Sequence, residues 1–176
     1  MQTKKLTTAG FLVALGIVLP QVFHVFGNTG GMIFLPIQYA AFLAGFLLSP
    51  GYALMVGVLV PILSSLITGM PPVPKVYFMI PELATYAVMT GILKTRFRSR
   101  ITLILASLSG RLVYGIALIF GGVVLGMKAP FISLSAFGYT LGIGIPGLAL
   151  QLLIIPVIYQ QLQKLLLSEE VGFESK

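Results

Sequence analysis

Two opposite charges lie inside apolar stretches that are long enough to cross a lipid bilayer. Glu82, the only acidic residue before Glu169, lies in the stretch 76–93, and Arg111 lies in the stretch 101–126. A charged side chain at membrane depth is unfavourable unless it is paired, and such residues are therefore candidates for a binding or transport site. This pair predicts a protein that binds a polar solute within a membrane.

Other polar residues are expected at the same depth. Counted at about 1.5 Å per residue from the predicted cytoplasmic helix ends, Glu82 and Arg111 lie about 15–16 Å into the membrane and Gln151 lies about 20 Å into it. This depth is at or slightly outside the midplane of a hydrocarbon core that is about 30 Å thick. Five of the six predicted helices contribute to this layer, which contains Gln38, Ser64, Ser65, Glu82, Arg111, Tyr114 and Gln151.

Two interpretations of this layer remain open. It could be structural, with an ion pair between Glu82 and Arg111, although side-chain hydrogen bonds in membranes contribute only about 0.6 kcal/mol on average. Alternatively, it lines an outward-facing pocket, because ligand sites combine apolar walls with a few placed polar groups. The two are compatible, since a pair that orients Arg111 in the empty state could exchange partners when a ligand enters. The expected aromatic walls are Tyr39, Tyr77, Tyr86 and Tyr114.

The composition predicts a protein whose solvent is lipid. Hydrophobic residues make up 57% of the chain and charged residues 9%, against about 25% charged residues in a typical soluble domain. The 176 residues suffice for about six helices of roughly 20 residues, the length that crosses a bilayer. We therefore predict an all-α integral membrane protein, a bundle of six transmembrane helices that forms a single domain over residues 1–176.

Apolar runs and the glycines and prolines between them set the predicted helix boundaries. The predicted helices are Leu6–Phe23, Phe34–Leu48, Tyr52–Thr68, Val76–Leu93, Ile101–Gly126 and Leu134–Leu166. The first run superficially looks like a signal peptide. No A-x-A-like cleavage site follows it, so we expect a retained first helix.

The basic residues indicate the orientation of the bundle. Of eleven Lys and Arg residues, eight lie near the termini or in the connection 94–100, two lie in alternate loops, and Arg111 lies within a helix. Short loops rich in Lys and Arg mark the cytoplasmic side, which predicts that both termini are cytoplasmic. This placement argues against nucleic acid as a partner, despite the net charge of +7. Lys75, near the expected outer mouth, is predicted to be solvated, with attraction of an anionic solute as the alternative.

Catalysis and metal binding find little support in the sequence. The chain has no cysteine and one histidine, which excludes thiolate ligands and a multi-histidine metal site, and we expect no cofactor. Glu82 has no second carboxylate to work with, and no GxSxG, HExxH or P-loop pattern is present. Any coupling to ATP hydrolysis would therefore need an ATPase on another chain.

The outer loop after the first helix carries two further candidate residues, His24 and Asn28. Three glycines between positions 27 and 31 would make this segment mobile enough to cap a cavity. A plain flexible connection is the alternative.

Five motifs together resemble one family of membrane proteins. They are TTAGFLVALG, SPGYALMVG, SSLITGMPP, ELATYAVMTGIL and GRLVYG. With them the chain resembles the substrate-binding S components of energy-coupling factor (ECF) vitamin transporters, most specifically over residues 49–93. Within that family it is similar to the group that contains pantothenate and pyridoxine or hydroxymethylpyrimidine carriers.

The resemblance implies a non-catalytic subunit of a prokaryotic plasma membrane that binds a vitamin while its extracellular loops close over it. It also implies partners, namely a transmembrane coupling protein and two cytoplasmic ATPases. Family members dock on the coupling protein through an Ala-x-x-x-Ala face of the first helix, where this chain has Gly10 and Ala14. Small residues four apart let another helix approach closely. Packing of Gly10 and Ala14 within this chain's own bundle is the competing interpretation.

We therefore expect a substrate-capture subunit of an ECF importer, with a small structural membrane subunit or a membrane-embedded enzyme as the alternative. Pantothenate, an anion, would pair with Arg111, because guanidinium binds carboxylate bidentately. A pyridoxine-like ring would instead favour Glu82 and the tyrosines. The residues expected to bind the solute are Glu82, Arg111, Gln38, Tyr39, Tyr86, Tyr114, Gln151, Asn28 and His24.

Overall fold

A computed structural model describes residues 2–24, 30–127 and 132–174, without the side chains of His24, Leu134 and residues 165–174. The helices are α1 (Gln2–His24), α2 (Gly30–Phe34), α3 (Pro36–Leu47), α4 (Pro50–Thr68), α5 (Lys75–Leu93), α6 (Ser99–Ile119), a π-helical turn (Phe120–Val124), α7 (Leu134–Ile143) and α8 (Ile145–Glu174). Six segments of this part of the chain are long and apolar enough to cross a membrane. The predicted fold class, a helical membrane protein with six spanning helices, is confirmed.

The last predicted helix differs from the observed one. The prediction of a single helix Leu134–Leu166 is wrong, because the chain breaks at Gly144 between α7 and α8. Pro146, in the first turn of α8, has no amide proton and favours the start of a new helix. With its 10 residues α7 is too short to cross a bilayer, and the spanning segment begins at Ile145.

The second predicted helix, Phe34–Leu48, also contains a break. Leu35 has φ 51° and ψ 45°, a left-handed conformation that separates α2 from α3. Such a conformation is uncommon for a residue other than glycine. The two helices still form one spanning segment, Gly30–Leu47, so the break lies within the membrane-crossing part of the chain.

The centre of the bundle is α3. Every residue from Pro36 to Phe46 is buried, because α3 is apolar on nearly all sides and packs against α1, α4, α5 and α8. Ala40, Ala41 and Ala44 have no exposed surface. Small residues of this kind let neighbouring helices approach closely, which stabilises helix packing in a membrane.

The position of α5 is fixed by close packing against α4. A Cβ atom at Gly57 would lie 2.7 Å from the carbonyl oxygen of Leu83, closer than side chains approach. The missing side chain therefore lets the backbones of the two helices meet. Because Leu83 follows Glu82, this contact also holds the acidic residue at a defined place in the bundle.

One face of α1 packs into the bundle and the other faces away from it. A Cβ atom at Gly16 would lie 2.7 Å from Val60 and 2.9 Å from Ala40, so the inner face needs a glycine there. Gly10 and Ala14 are exposed, and a Cβ atom at Gly10 would meet nothing within 4 Å. Within the described residues, then, the Gly10–Ala14 face is not used for packing in this chain's own bundle.

Lys94 ties the end of α5 to the end of α3. Its Nζ donates hydrogen bonds to the carbonyl oxygens of Gly45, Phe46 and Leu48, at 2.9, 2.8 and 3.1 Å. Carbonyl groups at a helix C-terminus lack intrahelical donors and carry partial negative charge, so a lysine there is stabilising. Burial lowers the pKa of the Lys94 amine.

Candidate functional site

A cavity of about 280 Å³ lies among helices α1 to α7 and the connection between α4 and α5. Much of its wall is apolar, with proline, methionine, leucine and isoleucine side chains. The polar and charged side chains that line it are Gln38, Ser64, Lys75, Glu82, Arg111, Tyr114 and Thr140. A mostly apolar concavity with a few convergent polar groups is typical of a small-molecule site.

An ion pair lies in the wall of this cavity. Arg111 Nη1 lies 3.1 Å from Glu82 Oε1, with the glutamate side chain 3% exposed and the arginine side chain 19% exposed. Each charge compensates the other in a setting where a lone ion would be strongly unfavourable. The more exposed partner is the arginine, so its guanidinium is the more accessible of the two to a solute.

Tyr86 supports the ion pair from behind. Its hydroxyl donates a 2.6 Å hydrogen bond to Glu82 Oε1, and its ring lies against Phe42 with the centroids 4.9 Å apart. A Cβ atom at Gly110 would overlap the Tyr86 ring, so the glycine provides the space that the ring occupies. Tyr86 is fully buried and does not belong to the described cavity wall. It therefore orients Glu82 rather than facing the cavity.

Lys75 brings a second positive charge to the cavity. It is the first residue of α5, where the sequence suggested a solvated loop position. Its side chain is half-buried and lines the cavity. The prediction that Lys75 is merely solvated is therefore wrong.

Gln38 and Gln151 form an amide pair beside the ion pair. Gln151 Nε2 donates to Gln38 Oε1 at 3.2 Å and to the carbonyl oxygen of Leu35 at 3.3 Å. Gln38 is 4% exposed and lines the cavity, whereas Gln151 is fully buried behind it. The two residues predicted to share one layer are thus in contact, and only Gln38 lies in the described cavity wall.

Two serines at the end of α4 hold the connection that forms one side of the cavity. Ser64 Oγ donates to the carbonyl oxygen of Met70 at 2.7 Å, and Ser65 Oγ donates to that of Pro71 at 2.8 Å. Met70 and Pro71 both line the cavity. The motif SSLITGMPP therefore supplies a wall together with the hydrogen bonds that hold it.

The remaining predicted residues lie in different places. Tyr114 lines the cavity, and its ring centroid lies 6.2 Å from that of Phe137. Tyr39 is 7% exposed and Tyr77 is 59% exposed, and neither belongs to the described wall. Asn28 and the side chain of His24 lie outside the described residues.

Several cavity residues were not predicted from the sequence. Short helix α2 contributes Gly31 and Met32, α5 contributes Met79, and α7 contributes Thr140. None of these residues is charged, and none belongs to a recognisable motif, so the sequence does not distinguish them from residues that only pack. Thr140 belongs to α7, which the sequence predicted as part of one long helix with α8. The break at Gly144, which separates the two helices, was not predicted.

The fold and the cavity define a helical membrane protein with a partly polar cavity between its helices. Residues 4–168 match the family model of the ECF transporter substrate-specific component. The chain therefore belongs to this family, and it is a membrane substrate-binding subunit of an ECF transporter. No curated protein matches the sequence, and no solved structure matches the fold.

Proposed function

We propose that this subunit captures a small anionic vitamin, with pantothenate as the leading candidate. The observation that carries the proposal is the charge around the cavity. Among the described residues that line it, two are basic, Lys75 and Arg111, and one is acidic, Glu82. The ion pair neutralises Arg111, and none of the described residues pairs with Lys75. The cavity therefore has an excess positive charge, which favours a solute with one carboxylate.

The size of the cavity is consistent with one small solute. Its volume of about 280 Å³ lies just below the range of about 300–1,000 Å³ that is usual for ligand pockets. The carboxylate would lie between Lys75 and Arg111, and the rest of the solute would contact Gln38 and the apolar wall. Partial desolvation in this cavity would strengthen each of these polar contacts.

A pyridoxine-like or hydroxymethylpyrimidine-like solute is the second candidate. It is favoured by the presence of Glu82 and Tyr114 in the cavity wall. Glu82 Oε1 accepts the Tyr86 hydroxyl and lies 3.1 Å from Arg111 Nη1, whereas Oε2 has no hydrogen bond to any of the described residues. That oxygen is available to accept a hydrogen bond from a ring substituent of the solute.

The partners that we propose are a transmembrane coupling protein and two cytoplasmic ATPases, as membership of the family implies. Gly10 and Ala14 support a docking role, because they are exposed and a Cβ atom at Gly10 would meet open space. Another helix can approach such small residues closely. The subunit would capture its solute from outside and reorient when the ATPases cycle.

Binding measurements on the detergent-purified protein test the proposed solute. Isothermal titration should show that pantothenate binds the wild type, and that its alcohol analogue, which lacks the carboxylate, binds at least about tenfold more weakly. Lys75→Met should weaken pantothenate binding, whereas Lys164→Met, at an exposed lysine of α8, should leave it unchanged. Binding of pyridoxine without binding of pantothenate would favour the second candidate.

A further inference from the structure

We infer that Gln151 is a positioning residue, which orients the Gln38 amide so that its N–H groups donate into the cavity to an acceptor oxygen of the solute. The inference deepens the proposed function and rests on it, because it names a second recognition element of the same site. The acceptor would be a carbonyl or hydroxyl oxygen distant from the carboxylate. Gln38 would contact the solute directly, and Gln151 would act through Gln38.

The orientation of the Gln151 amide is set by the backbone. The carbonyl oxygen of Leu35 lies 3.3 Å from Gln151 Nε2. A carbonyl can only accept, so the end of the Gln151 amide that faces Leu35 must be the NH₂ group. Reversing the amide would place two oxygens against each other, and the left-handed residue Leu35 thereby fixes which end of Gln151 faces α3.

The second N–H of Gln151 fixes Gln38 by the same reasoning. It donates to the Gln38 side chain at 3.2 Å, so the receiving atom must be Oε1 and not Nε2. The carbonyl group of Leu35 therefore determines the orientation of the Gln151 amide, and the Gln151 amide in turn determines that of the Gln38 amide. The remaining end of Gln38, its NH₂ group, is the end that is not held by protein.

The free end of Gln38 is in contact with the cavity space. Gln38 lines the cavity, and its Nε2 makes no hydrogen bond to any of the described residues. Among the described residues, the side-chain atoms that are both fully buried and without a partner are Thr90 Oγ1, Ser107 Oγ and Gln151 Oε1. Gln38 Nε2 also has no partner but is not one of these atoms, so it is not fully buried. The Gln38 donors are therefore unpaired and accessible, which is the state that a recognition group needs.

Close packing of α8 holds Gln151 in place. A Cβ atom at Gly147 would overlap the carbonyl oxygen of Ile33, so the backbone of α8 lies directly against the end of α2. Gln151 follows Gly147 by four residues and therefore lies on the same face of α8. Burial is complete at Gln151, so it has no direct access to a solute.

Side-chain amide exchange tests the orientation without any ligand. In protein labelled with ¹⁵N-glutamine, the Gln151 NH₂ signals, assigned from their loss in Gln151→Met, should exchange with water far more slowly than those of exposed Gln163. The Gln38 NH₂ signals should exchange faster than those of Gln151. Exchange of Gln151 as fast as Gln163, or equal protection of Gln38 and Gln151, would overturn the inference.

Titration with pantothenate tests the contact with the solute, and pyridoxine replaces it if the wild type binds only pyridoxine. The Gln38 NH₂ signals should shift on saturation. Gln38→Met and Gln151→Met should each weaken binding about three- to tenfold, the range expected for one hydrogen bond. The double variant should bind as weakly as Gln38→Met alone, because Gln151 acts through Gln38.

The matched control is Gln163→Met, the same change at an exposed position of the same helix, which should not alter binding. Full affinity in a folded Gln38→Met variant, or additive losses in the double variant, would overturn the inference. If the wild type binds neither pantothenate nor pyridoxine, the proposed solute is wrong. The exchange rates still decide whether Gln151 holds Gln38, so the two failures are distinguishable.

Discussion

Arg111 Nη1 lies 3.1 Å from Glu82 Oε1, across the interface between α5 and α6. The same carboxylate oxygen accepts the Tyr86 hydroxyl at 2.6 Å from the buried side. Glu82 is thus held from behind by the tyrosine, and both Glu82 and Arg111 line the cavity. This arrangement places Arg111 in the cavity wall without leaving either charge of the pair uncompensated.

The ion pair predicts that single and double substitutions have different effects on stability. Glu82→Gln leaves the arginine uncompensated and should lower the free energy of unfolding by about 3–5 kcal/mol. Adding Arg111→Gln removes the uncompensated charge and should restore most of that loss. Unfolding of the purified variants in a denaturing detergent measures the difference. A double variant no more stable than Glu82→Gln alone would contradict this account of the pair.

Close contact between Gly110 and the Tyr86 ring should make the stability of the protein sensitive to a larger residue at position 110. In Gly110→Ala the new Cβ atom would overlap the Tyr86 ring, so the ring or α6 must shift. We expect a loss of about 1–3 kcal/mol in stability, typical of overpacking. The loss should shrink when Tyr86→Leu is also present, because the ring is then gone. Gly138→Ala, where a Cβ atom meets nothing within 4 Å, is the control.

The two faces of α1 should respond differently to bulky residues. Gly10→Leu with Ala14→Leu should abolish uptake by cells that contain the coupling protein and ATPases, because close helix approach is blocked. The isolated double variant should still bind its solute. Gly16→Leu, on the inner face, should impair folding of the isolated protein. Normal uptake in the Gly10–Ala14 double variant would refute the docking assignment.

The distribution of basic residues predicts cytoplasmic termini. Because the chain has no cysteine, single cysteines report position without background. Cysteines placed at Ser99 and at Thr29 should react with an impermeant reagent from opposite sides of the membrane. A second pair, at Thr95 and Val73, repeats the test at two exposed positions. Labelling of both members of a pair from one side would contradict the six-helix topology.

Lys94 should contribute to stability and not to recognition. Lys94→Met removes a charged donor from three carbonyl groups at the end of α3 and should destabilise the protein by about 2 kcal/mol. Arg96→Met, at an exposed position in the same connection, should have little effect. Thermal unfolding in detergent measures both. Equal stability of the two variants would show that the Lys94 hydrogen bonds do not contribute to stability.

Much of the fold was predictable from the sequence, because lipid permits few alternatives. A spanning segment must satisfy its own backbone hydrogen bonds, so apolar runs of the right length predict helices directly. The helix breaks at Leu35 and Gly144 were harder to predict from the sequence. Leu35 has no local signature for a left-handed conformation, and its hydrogen bond to Gln151 joins positions far apart in the chain.

The sequence predicted the depth of the site residues in the membrane but not the directions in which their side chains point. Depth follows from the constant rise of a helix, and it placed Glu82, Arg111 and Gln38 in one layer, where they line one cavity. The direction of a side chain depends on how each helix is rotated by its neighbours. Tyr86 and Gln151 therefore lie behind the wall although the sequence assigned them to it.

Native mass spectrometry of the detergent-extracted protein tests the central claim most directly, namely that the cavity beside Glu82 and Arg111 holds the transported solute. The wild type should retain one small solute per chain, and pantothenate should be identified after its release. The folded double variant Glu82→Gln with Arg111→Gln should be purified without it, and added pantothenate should bind much more weakly. Equal occupancy in the wild type and the double variant would contradict the account.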